Sequence, residues 1–198
     1  VGPTVVAGMA YSIPTLVRVE SSERIRIGRA LDAGTSGVMV PRIETAEQVS
    51  AVVKHMSYPP FGDRGVATYN RSAKWGRDLS GLTQKAKAAC IIQIETLKAL
   101  ENVEAIAAID GADLLFVGPL DLSFALGVPR DFKSPIFVEA CAKVIAAAKA
   151  NNKVAGILAA DAAAATAFIE QGFKFIAIGS DSTLLAGAIT SLVTQLKK

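Results

Sequence analysis

The chain has 198 residues, of which 51% are hydrophobic and 20% are charged. This balance is typical of a packed globular protein, and the length suffices for one domain with a substantial core. The net charge of +3 is too small to indicate nucleic-acid binding, and no Lys/Arg cluster alternates with aromatic residues. We therefore treat residues 1–198 as a single domain and expect no nucleic acid among its partners.

The opening segment, residues 1–17, carries no charge but matches neither a signal peptide nor a membrane span. Glycines and prolines interrupt it, and no basic residues precede an apolar stretch. The two cysteines, Cys90 and Cys141, fall inside a predicted strand and a predicted helix, as buried hydrophobic residues do. We therefore expect no membrane partner and a reducing, cytoplasmic location.

Short apolar runs alternate along the chain with longer segments of helical spacing, which predicts repeated β/α units around a parallel sheet. The predicted strands are residues 15–19, 37–40, 89–94, 114–117, 154–158 and 173–178. The predicted helices are residues 22–33, 45–56, 97–108, 135–150, 161–171 and an apolar terminal segment at 184–196. Gly34, Gly111 and Gly172 stand where helices would end, and Asp161 stands as an N-cap.

Six strands are two fewer than a closed (β/α)8 barrel contains, and such a barrel typically has about 250 residues. An open, doubly wound sheet is the alternative, although no Gly-x-Gly-x-x-Gly turn follows any predicted strand. Between the second and third strands lies a turn-rich loop, YPPFGDRG at residues 58–65. A loop of this kind over strand ends is a candidate lid or substrate loop.

Two acidic residues, Glu95 and Asp121, follow predicted strands in the places where parallel α/β proteins bind ligands. Together they would form a site for a hard divalent cation, which prefers carboxylate oxygens. The alternative is that one acid caps a helix and the other is a surface residue. Asp121 also stands near a predicted helix start, where backbone N–H groups such as that of Leu120 would receive an anionic oxygen.

Arg18 ends the first predicted strand, where its guanidinium would bind a carboxylate in bidentate fashion. An ion pair with Glu20 or Glu23 is the competing interpretation. Arg64 lies between glycines in the turn-rich loop, and a salt bridge with Asp63 or Asp32 would equally explain it.

His55, the single histidine, lies on a predicted helix before the turn-rich loop, where a structural or solvated role is more typical than that of a general base. Ser/His/Asp and Cys/His mechanisms therefore lack a base. Any catalysis by this chain would depend on other groups.

Four motifs, taken in order, resemble the HpcH/HpaI aldolase family, the metal-dependent class II pyruvate aldolases that include 4-hydroxy-2-oxoheptanedioate aldolases. The motifs are YPPFGDRG at 58–65, QIET at 93–96, VGPLDLS at 117–123 and GIL at 156–158. Their order and spacing match over nearly the whole chain from Ser12 onward. This combination is more specific than any single motif.

The resemblance implies a (β/α)8 barrel that cleaves 4-hydroxy-2-oxo acids to pyruvate and an aldehyde through a metal-stabilised pyruvate enolate. It implies Glu95 and Asp121 as ligands of a divalent Mg, Mn or Co ion, and Arg18 as the catalytic residue that binds the pyruvate keto and carboxylate oxygens. The backbone around Gly118 and Leu120 would receive the substrate carboxylate.

The resemblance also implies that Asp32 and Arg64 support the site from nearby positions. The terminal segment 184–196 is compatible with a homo-oligomer, a hexamer built as a trimer of dimers. 

One family feature is missing, because the family carries an Asp-x-Glu-His segment near its second strand and this chain has none. The chain starts near the family's third strand, so we expect it to represent about six of eight β/α units, N-terminally incomplete. Two alternatives to the aldolase remain: an acyl-CoA lyase of the citrate lyase beta type, and a non-catalytic fragment that binds 2-oxo acids.

Overall fold

The computed structural model describes residues 1–83 and 87–197. Six parallel strands form one sheet in chain order, which curls into part of a barrel. The strands are β1 Leu16–Arg18, β2 Gly37–Val40, β3 Ala89–Ile94, β4 Leu114–Val117, β5 Val154–Ala159 and β6 Phe175–Ile178. Arg18 lies opposite Met39, and Ile94 lies opposite Val117. All six predicted strands are confirmed, with ends that differ by one or two residues.

Nine helices occur in the described ranges, most of them between successive strands. They are α1 Gly2–Ala10, α2 Arg24–Asp32, α3 Ala46–Met56, α4 Leu97–Glu101, α5 Val103–Ala107, α6 Pro119–Ala125, α7 Pro135–Ala150, α8 Ala162–Gln171 and α9 Asp181–Leu196. Two short 3-10 helices, Arg71–Gly76 and Ser80–Thr83, lie in the long connection between β2 and β3. None of the helices in the described ranges has the length and apolarity of a membrane span.

Two helix predictions differ from the structure for local reasons. Helix α1 was not predicted, because Pro3 was interpreted as an interruption although it lies in the first turn, where proline fits a helix. The predicted helix 97–108 is two helices that meet at Asn102, whose φ and ψ are −93° and 9°. The side chain of Asn102 donates to the carbonyl oxygen of Glu44 at 2.8 Å, which ties this break to the loop after β2.

The predicted helix ends agree with the structure. Asp161 caps α8 by accepting from the backbone N–H of Ala164 at 2.8 Å. Gly34, Gly111 and Gly172 have φ values of 89°, 89° and 115°, the left-handed backbone that ends helices and favours glycine.

The two faces of the sheet differ in what covers them. The main core lies between the sheet and its helices, and Cys90, Ile92 and Ile94 of β3 point into it. A smaller cluster around Ile91, Leu114 and Phe116 lies on the inner face. Because side chains alternate along a strand, Gln93 and Glu95 follow Ile91 on the inner face.

The two cysteines are buried and unpaired, as predicted. Burial raises the pKa of both thiols to about 12, so neither is a reactive thiolate near neutral pH.

Candidate metal and substrate site

A cleft of about 730 Å³ opens at the carboxyl ends of the strands. Its wall contains five residues that the sequence predicted for the site: Arg18, Glu95, Gly118, Leu120 and Asp121. They come from β1, the end of β3 and the turn into α6. The parallel sheet thus brings together side chains that are up to 103 positions apart in the sequence. Ligands bind at this edge in parallel barrels, where strand ends and their loops converge.

Glu95 is the most constrained group in the cleft, with only 6% of its surface exposed. Its Oε1 accepts the backbone N–H of Arg42 at 2.9 Å, and its Oε2 accepts from Nε2 of Gln93. Burial raises the pKa of the Glu95 carboxyl above the ordinary 4.5, and the negative charge of Asp121 raises it further. The hydrogen bond from the backbone N–H of Arg42 and the positive charges of Arg18 and Arg42 oppose this rise in pKa. A buried carboxylate beside a second acid favours a bound cation.

Asp121 lies in the first turn of α6, and its side chain is exposed to the cleft. The N-cap residue of α6 is Gly118, and no side chain caps this helix. The alternative interpretation of Asp121 as a capping residue is therefore wrong. The carboxylate of Asp121 has no hydrogen bond in the described part of the chain, so it is available for a ligand.

Gly118 is required by the close approach of its neighbours. A Cβ atom at this position would lie 2.8 Å from Nε2 of Gln93 and 2.9 Å from Oε2 of Glu95. Any larger residue would displace the side chains of Gln93 and Glu95.

Two arginines face the two acids. The alternative ion pairs of Arg18 are not formed, because Glu20 and Glu23 lie 3.0 Å and 3.9 Å from Arg26. Arg42, two residues after β2, also lines the cleft and has a left-handed φ of 55°. Within residues 1–83 and 87–197, neither the Arg18 nor the Arg42 guanidinium has a hydrogen bond or an ion pair.

Arg42 and Gln93 were missed by the sequence analysis. Gln93 could have been found, because it precedes Glu95 by two positions and so shares its face of the strand. The Oε1 atom of Gln93 is buried without a hydrogen-bond partner, which is uncommon and typical of a functional site.

Asp32 and Arg64, by contrast, do not line the cleft, so their support of the site stays a prediction. Asp32 ends α2 at the amino ends of the strands, and Nη2 of Arg64 lies 2.6 Å from its Oδ1. Arg64 also donates to Ser72 at 3.0 Å, and its guanidinium lies 4.5 Å from the centre of the Tyr58 ring. The salt-bridge interpretation is therefore correct for Arg64.

The turn-rich loop at 58–65 is likewise not a lid over the cleft. Its residues Asp63 and Arg64 donate their backbone N–H groups to the carbonyl oxygens of Lys54 and Ser57, at the end of α3. Nδ1 of His55 lies 2.9 Å from Oδ1 of Asp63, which gives the histidine a structural role outside the cleft, as predicted.

A second cavity, of about 630 Å³, lies at the amino ends of β3 and β4. Two of its charged side chains bond within the fold: Lys153 donates to the carbonyl oxygens of Ile109 and Ala112, and Asp113 accepts the N–H of Cys90 at 2.7 Å. These bonds make it a structural pocket, so the cleft at the carboxyl ends is the stronger candidate.

Comparison with protein families gives a match over residues 3–188 to the HpcH/HpaI aldolase/citrate lyase family. The chain belongs to this family. The predicted family is confirmed, and so is the prediction of an aldolase-type enzyme.

Relatives in this HpcH/HpaI family cover most of the chain. It is 35% identical over 189 residues to a 2-keto-3-deoxy-L-rhamnonate aldolase from Salmonella gallinarum, covering 94% of this chain and 71% of the relative. It is 38% identical over 184 residues to a 2-dehydro-3,6-dideoxy-6-sulfogluconate aldolase from Pseudomonas putida, covering 92% and 72%.

A solved structure supports the fold. An HpcH/HpaI aldolase/citrate lyase family protein from Burkholderia cenocepacia superposes with a TM-score of 0.93 at 36% identity, covering 100% of this chain and 79% of that protein. The predicted α/β fold of TIM-barrel type is thereby confirmed at the level of its six parallel strands. That two β/α units are missing stays a prediction.

Proposed function

We propose that this chain is a divalent-metal-dependent aldolase that cleaves 4-hydroxy-2-oxo acids to pyruvate and an aldehyde, and catalyses the reverse addition. The observation that carries the proposal is the state of Glu95. It is a buried carboxylate of raised pKa that shares one cleft with Asp121 and with Arg18 and Arg42, whose guanidinium groups have no partner in the described chain. Desolvating such charges costs free energy unless a ligand of opposite charge binds to them.

The residues present fit a magnesium-like ion, with Mg, Mn and Co as candidates. Glu95 and Asp121 would hold it, and no third His, Cys, Asp or Glu joins them within the described residues. Two carboxylates suit such ions, which keep several waters and leave positions for a 2-oxo acid. When bound, the ion would act as a Lewis acid toward the substrate oxygens.

The chain's own residues would then bind the substrate and stabilise charge. Arg18 would bind the carboxylate and keto oxygens, and the N–H of Leu120, in the first turn of α6, has no partner within its helix and would receive a carboxylate oxygen. During cleavage the C4 hydroxyl gives its proton to water and becomes the aldehyde carbonyl, the C3–C4 bond breaks, and its electron pair moves through C3 to the keto oxygen. Arg18 would stabilise the negative charge on that oxygen until C3 takes up a proton to give pyruvate.

Gln93 would orient Glu95. Its amide donates to one carboxylate oxygen, while the backbone of Arg42 donates to the other. Both oxygens are therefore fixed before a ligand arrives, a preorganisation that hydrogen bonds around metal ligands commonly provide.

The proposal does not assign the aldehyde half of the substrate. One relative is named for a keto-deoxy-rhamnonate and another for a sulfogluconate, so relatives of similar identity act on different compounds.

We also propose, from the family resemblance, that the six units belong to a (β/α)8 barrel in a cytoplasmic homo-oligomer. Helix α9 supports the assembly, because none of its residues is buried and it exposes Leu185, Ile189 and Leu192.

The test is metal-dependent release of pyruvate from 4-hydroxy-2-oxopentanoate, measured after chelation and after return of Mg, Mn or Co. We expect turnover only with the metal, and loss of roughly 100-fold or more in kcat/KM for Glu95→Gln. The matched control is Glu139→Gln on the exposed face of α7, which should leave turnover unchanged. Turnover that persists without metal would overturn the proposal, and binding of 2-oxo acids without any cleavage would favour a non-catalytic role.

A further inference from the structure

The position of the Glu95 carboxylate depends on a loop from a neighbouring strand. Residues 41–45 connect β2 to α3, and the backbone N–H of Arg42 in this loop donates to Oε1 of Glu95 at 2.9 Å. Glu95 follows β3, which pairs with β2. The two residues are 53 positions apart in the sequence, so their hydrogen bond needs a fixed distance between two separate segments of the chain. A contact that holds these segments together therefore also holds Glu95.

The loop is bound to the helix that follows it. Oε1 of Gln48 accepts the backbone N–H groups of Glu44 at 2.7 Å and of Thr45 at 3.1 Å, and Oγ1 of Thr45 accepts the N–H of Gln48 at 3.3 Å, which completes a capping box. These hydrogen bonds fix residues 44 and 45 to the start of α3. None of them reaches the segment that carries Glu95.

Asn102 connects that segment to the loop. Its side-chain amide donates to the carbonyl oxygen of Glu44 at 2.8 Å. Only α4 separates it from Glu95, since Thr96 caps the start of this helix with its side chain and Asn102 follows its last residue. The loop and the segment after β3 are thus joined by two hydrogen bonds, one at Glu95 and one at Asn102.

The side chain of Asn102 makes this bond in place of capping a helix. Asn102 ends α4 and precedes α5, a position where asparagine commonly accepts an N–H of the following helix. It makes no such bond to α5, all of whose residues the structure describes. The break at Asn102 also leaves two helices of five residues each, which are too short to be stable alone. The interrupted helix therefore gains its contact with the loop at a local cost.

An ion pair also joins α4 to the loop, but it is weaker. Nζ of Lys98 lies 3.6 Å from Oε2 of Glu44, and 58% of the lysine side chain is exposed. Exposed pairs between flexible side chains contribute little, because water screens them. Asn102 is half-buried and binds the backbone of the loop directly, so it is the stronger restraint.

We infer that Asn102 is a positioning residue for the metal ligand Glu95. By holding the carbonyl oxygen of Glu44, it keeps the N–H of Arg42 directed at Oε1 of Glu95. Asn102 lies outside the cleft wall and acts through the loop. This inference rests on the proposed function and adds a residue to the support of its metal site, where hydrogen bonds behind the ligands set the affinity for the ion.

The test measures the Arg42 amide without metal and the affinity for Mn²⁺. Asn102→Asp keeps the shape of the side chain but replaces the donor by a carboxylate that repels the Glu44 carbonyl, and Asn102→Ala removes the donor without repulsion. In metal-free protein we expect hydrogen exchange of the Arg42 N–H, followed by NMR, to accelerate about 10-fold or more in both variants. The dissociation constant of Mn²⁺, measured by calorimetry, should rise about 10-fold.

Asn151→Asp is the matched control. Asn151 also ends a helix, α7, with φ of −109° and ψ of 17°, and its side chain donates to the carbonyl oxygen of Ala147 at 2.9 Å. That bond lies within one helix and beside the cavity at the amino ends of the strands. Asn151→Asp should lower stability to chemical denaturation, as Asn102→Asp does, and leave the Arg42 exchange rate and the Mn²⁺ affinity unchanged.

The outcomes separate the inference from the proposed function. The inference fails alone if Glu95→Gln weakens Mn²⁺ binding but both Asn102 variants match the wild type in Mn²⁺ affinity and Arg42 exchange. It also fails if Asn151→Asp changes both quantities as much as Asn102→Asp, because general destabilisation would then explain the effect. If the wild type binds no Mn²⁺, the proposed function fails and the inference with it.

Discussion

Two clusters of arginine and carboxylate lie at opposite ends of the same sheet, and they differ in whether their charges are satisfied. At the amino ends, Arg64 is 8% exposed, forms an ion pair with Asp32, donates to Ser72 and stacks on Tyr58. At the carboxyl ends, the guanidinium groups of Arg18 and Arg42 have no partner among the described residues, and Glu95 is buried with a raised pKa.

Whether the charges have partners within the chain distinguishes a structural cluster from a ligand-binding one. A cluster that satisfies itself stabilises the fold and gains nothing from a ligand, whereas a partly desolvated cluster with unmatched charges is stabilised when a ligand binds. Similar residue types therefore have opposite roles, and their hydrogen bonds decide which role applies.

The largest effect is expected from removing one arginine from each cluster. Arg18→Met should lower kcat/KM for 4-hydroxy-2-oxo acid cleavage by roughly 100-fold or more, because a charge that stabilises the developing oxyanion is lost. Its Tm should not fall, since the guanidinium has no described partner. Arg64→Met should instead lower the free energy of unfolding by about 2 kcal/mol, because Asp32 loses its buried partner.

Chemical denaturation and steady-state kinetics of both variants provide the check. For Arg64→Met, kcat/KM per folded molecule should equal that of the wild type. If the two variants lost activity to the same extent, the separation of the clusters into a site and a structural element would be wrong.

A smaller effect is expected from Gly118→Ala, which adds a Cβ 2.8 Å from Nε2 of Gln93 and 2.9 Å from Oε2 of Glu95. The two side chains must shift, so we expect kcat/KM to fall about 10-fold through misplacement of Glu95. Gly28→Ala, in α2, is the control because a Cβ there meets nothing within 4 Å. Equal activity of the two variants would show that Glu95 tolerates displacement.

The smallest effect concerns the pH dependence of stability without metal. Because the folded-state pKa of Glu95 lies above 4.5, the folded protein binds this proton more readily than the unfolded chain. Stability from this group is present at low pH and declines as pH rises from about 4.5 through the higher folded-state pKa. The charged carboxylate of Glu95 therefore lowers the stability of the metal-free protein at neutral pH relative to low pH.

Thermal unfolding of the wild type and Glu95→Gln across pH 4 to 8 measures this effect, since glutamine mimics the protonated side chain. The wild-type Tm should fall relative to the variant as pH rises, and Mn²⁺ should reverse the trend only in the wild type. A Tm difference that does not change with pH would mean that Glu95 is not destabilised by its burial.

Much of the fold and five of the residues that line the cleft could be predicted from the sequence. Apolar runs located all six strands, and the rule that parallel sheets bind ligands at their carboxyl ends led to Glu95 and Asp121. Arg18 was found because it is a charged residue at the end of an otherwise apolar strand.

The differences have physical causes. The family resemblance implied Asp32 as a supporting residue, whereas the helix that follows β1 returns to the amino end of β2, so its last residue lies at the far end of the sheet from the cleft. Arg42 was missed because its position depends on a left-handed backbone and on a hydrogen bond to Glu95, which is 53 positions away. Contacts of that range are not encoded in local patterns.

The central claim is that Glu95 and Asp121 jointly hold a divalent cation, and calorimetric titration of Mn²⁺ into chelator-treated protein tests it most directly. We predict one ion per wild-type chain, binding weakened by roughly 100-fold or more in both Glu95→Gln and Asp121→Asn, and unchanged binding in Asp32→Asn, which alters the carboxylate of the opposite cluster. Equal Mn²⁺ affinity in the wild type, Glu95→Gln and Asp121→Asn would contradict the account.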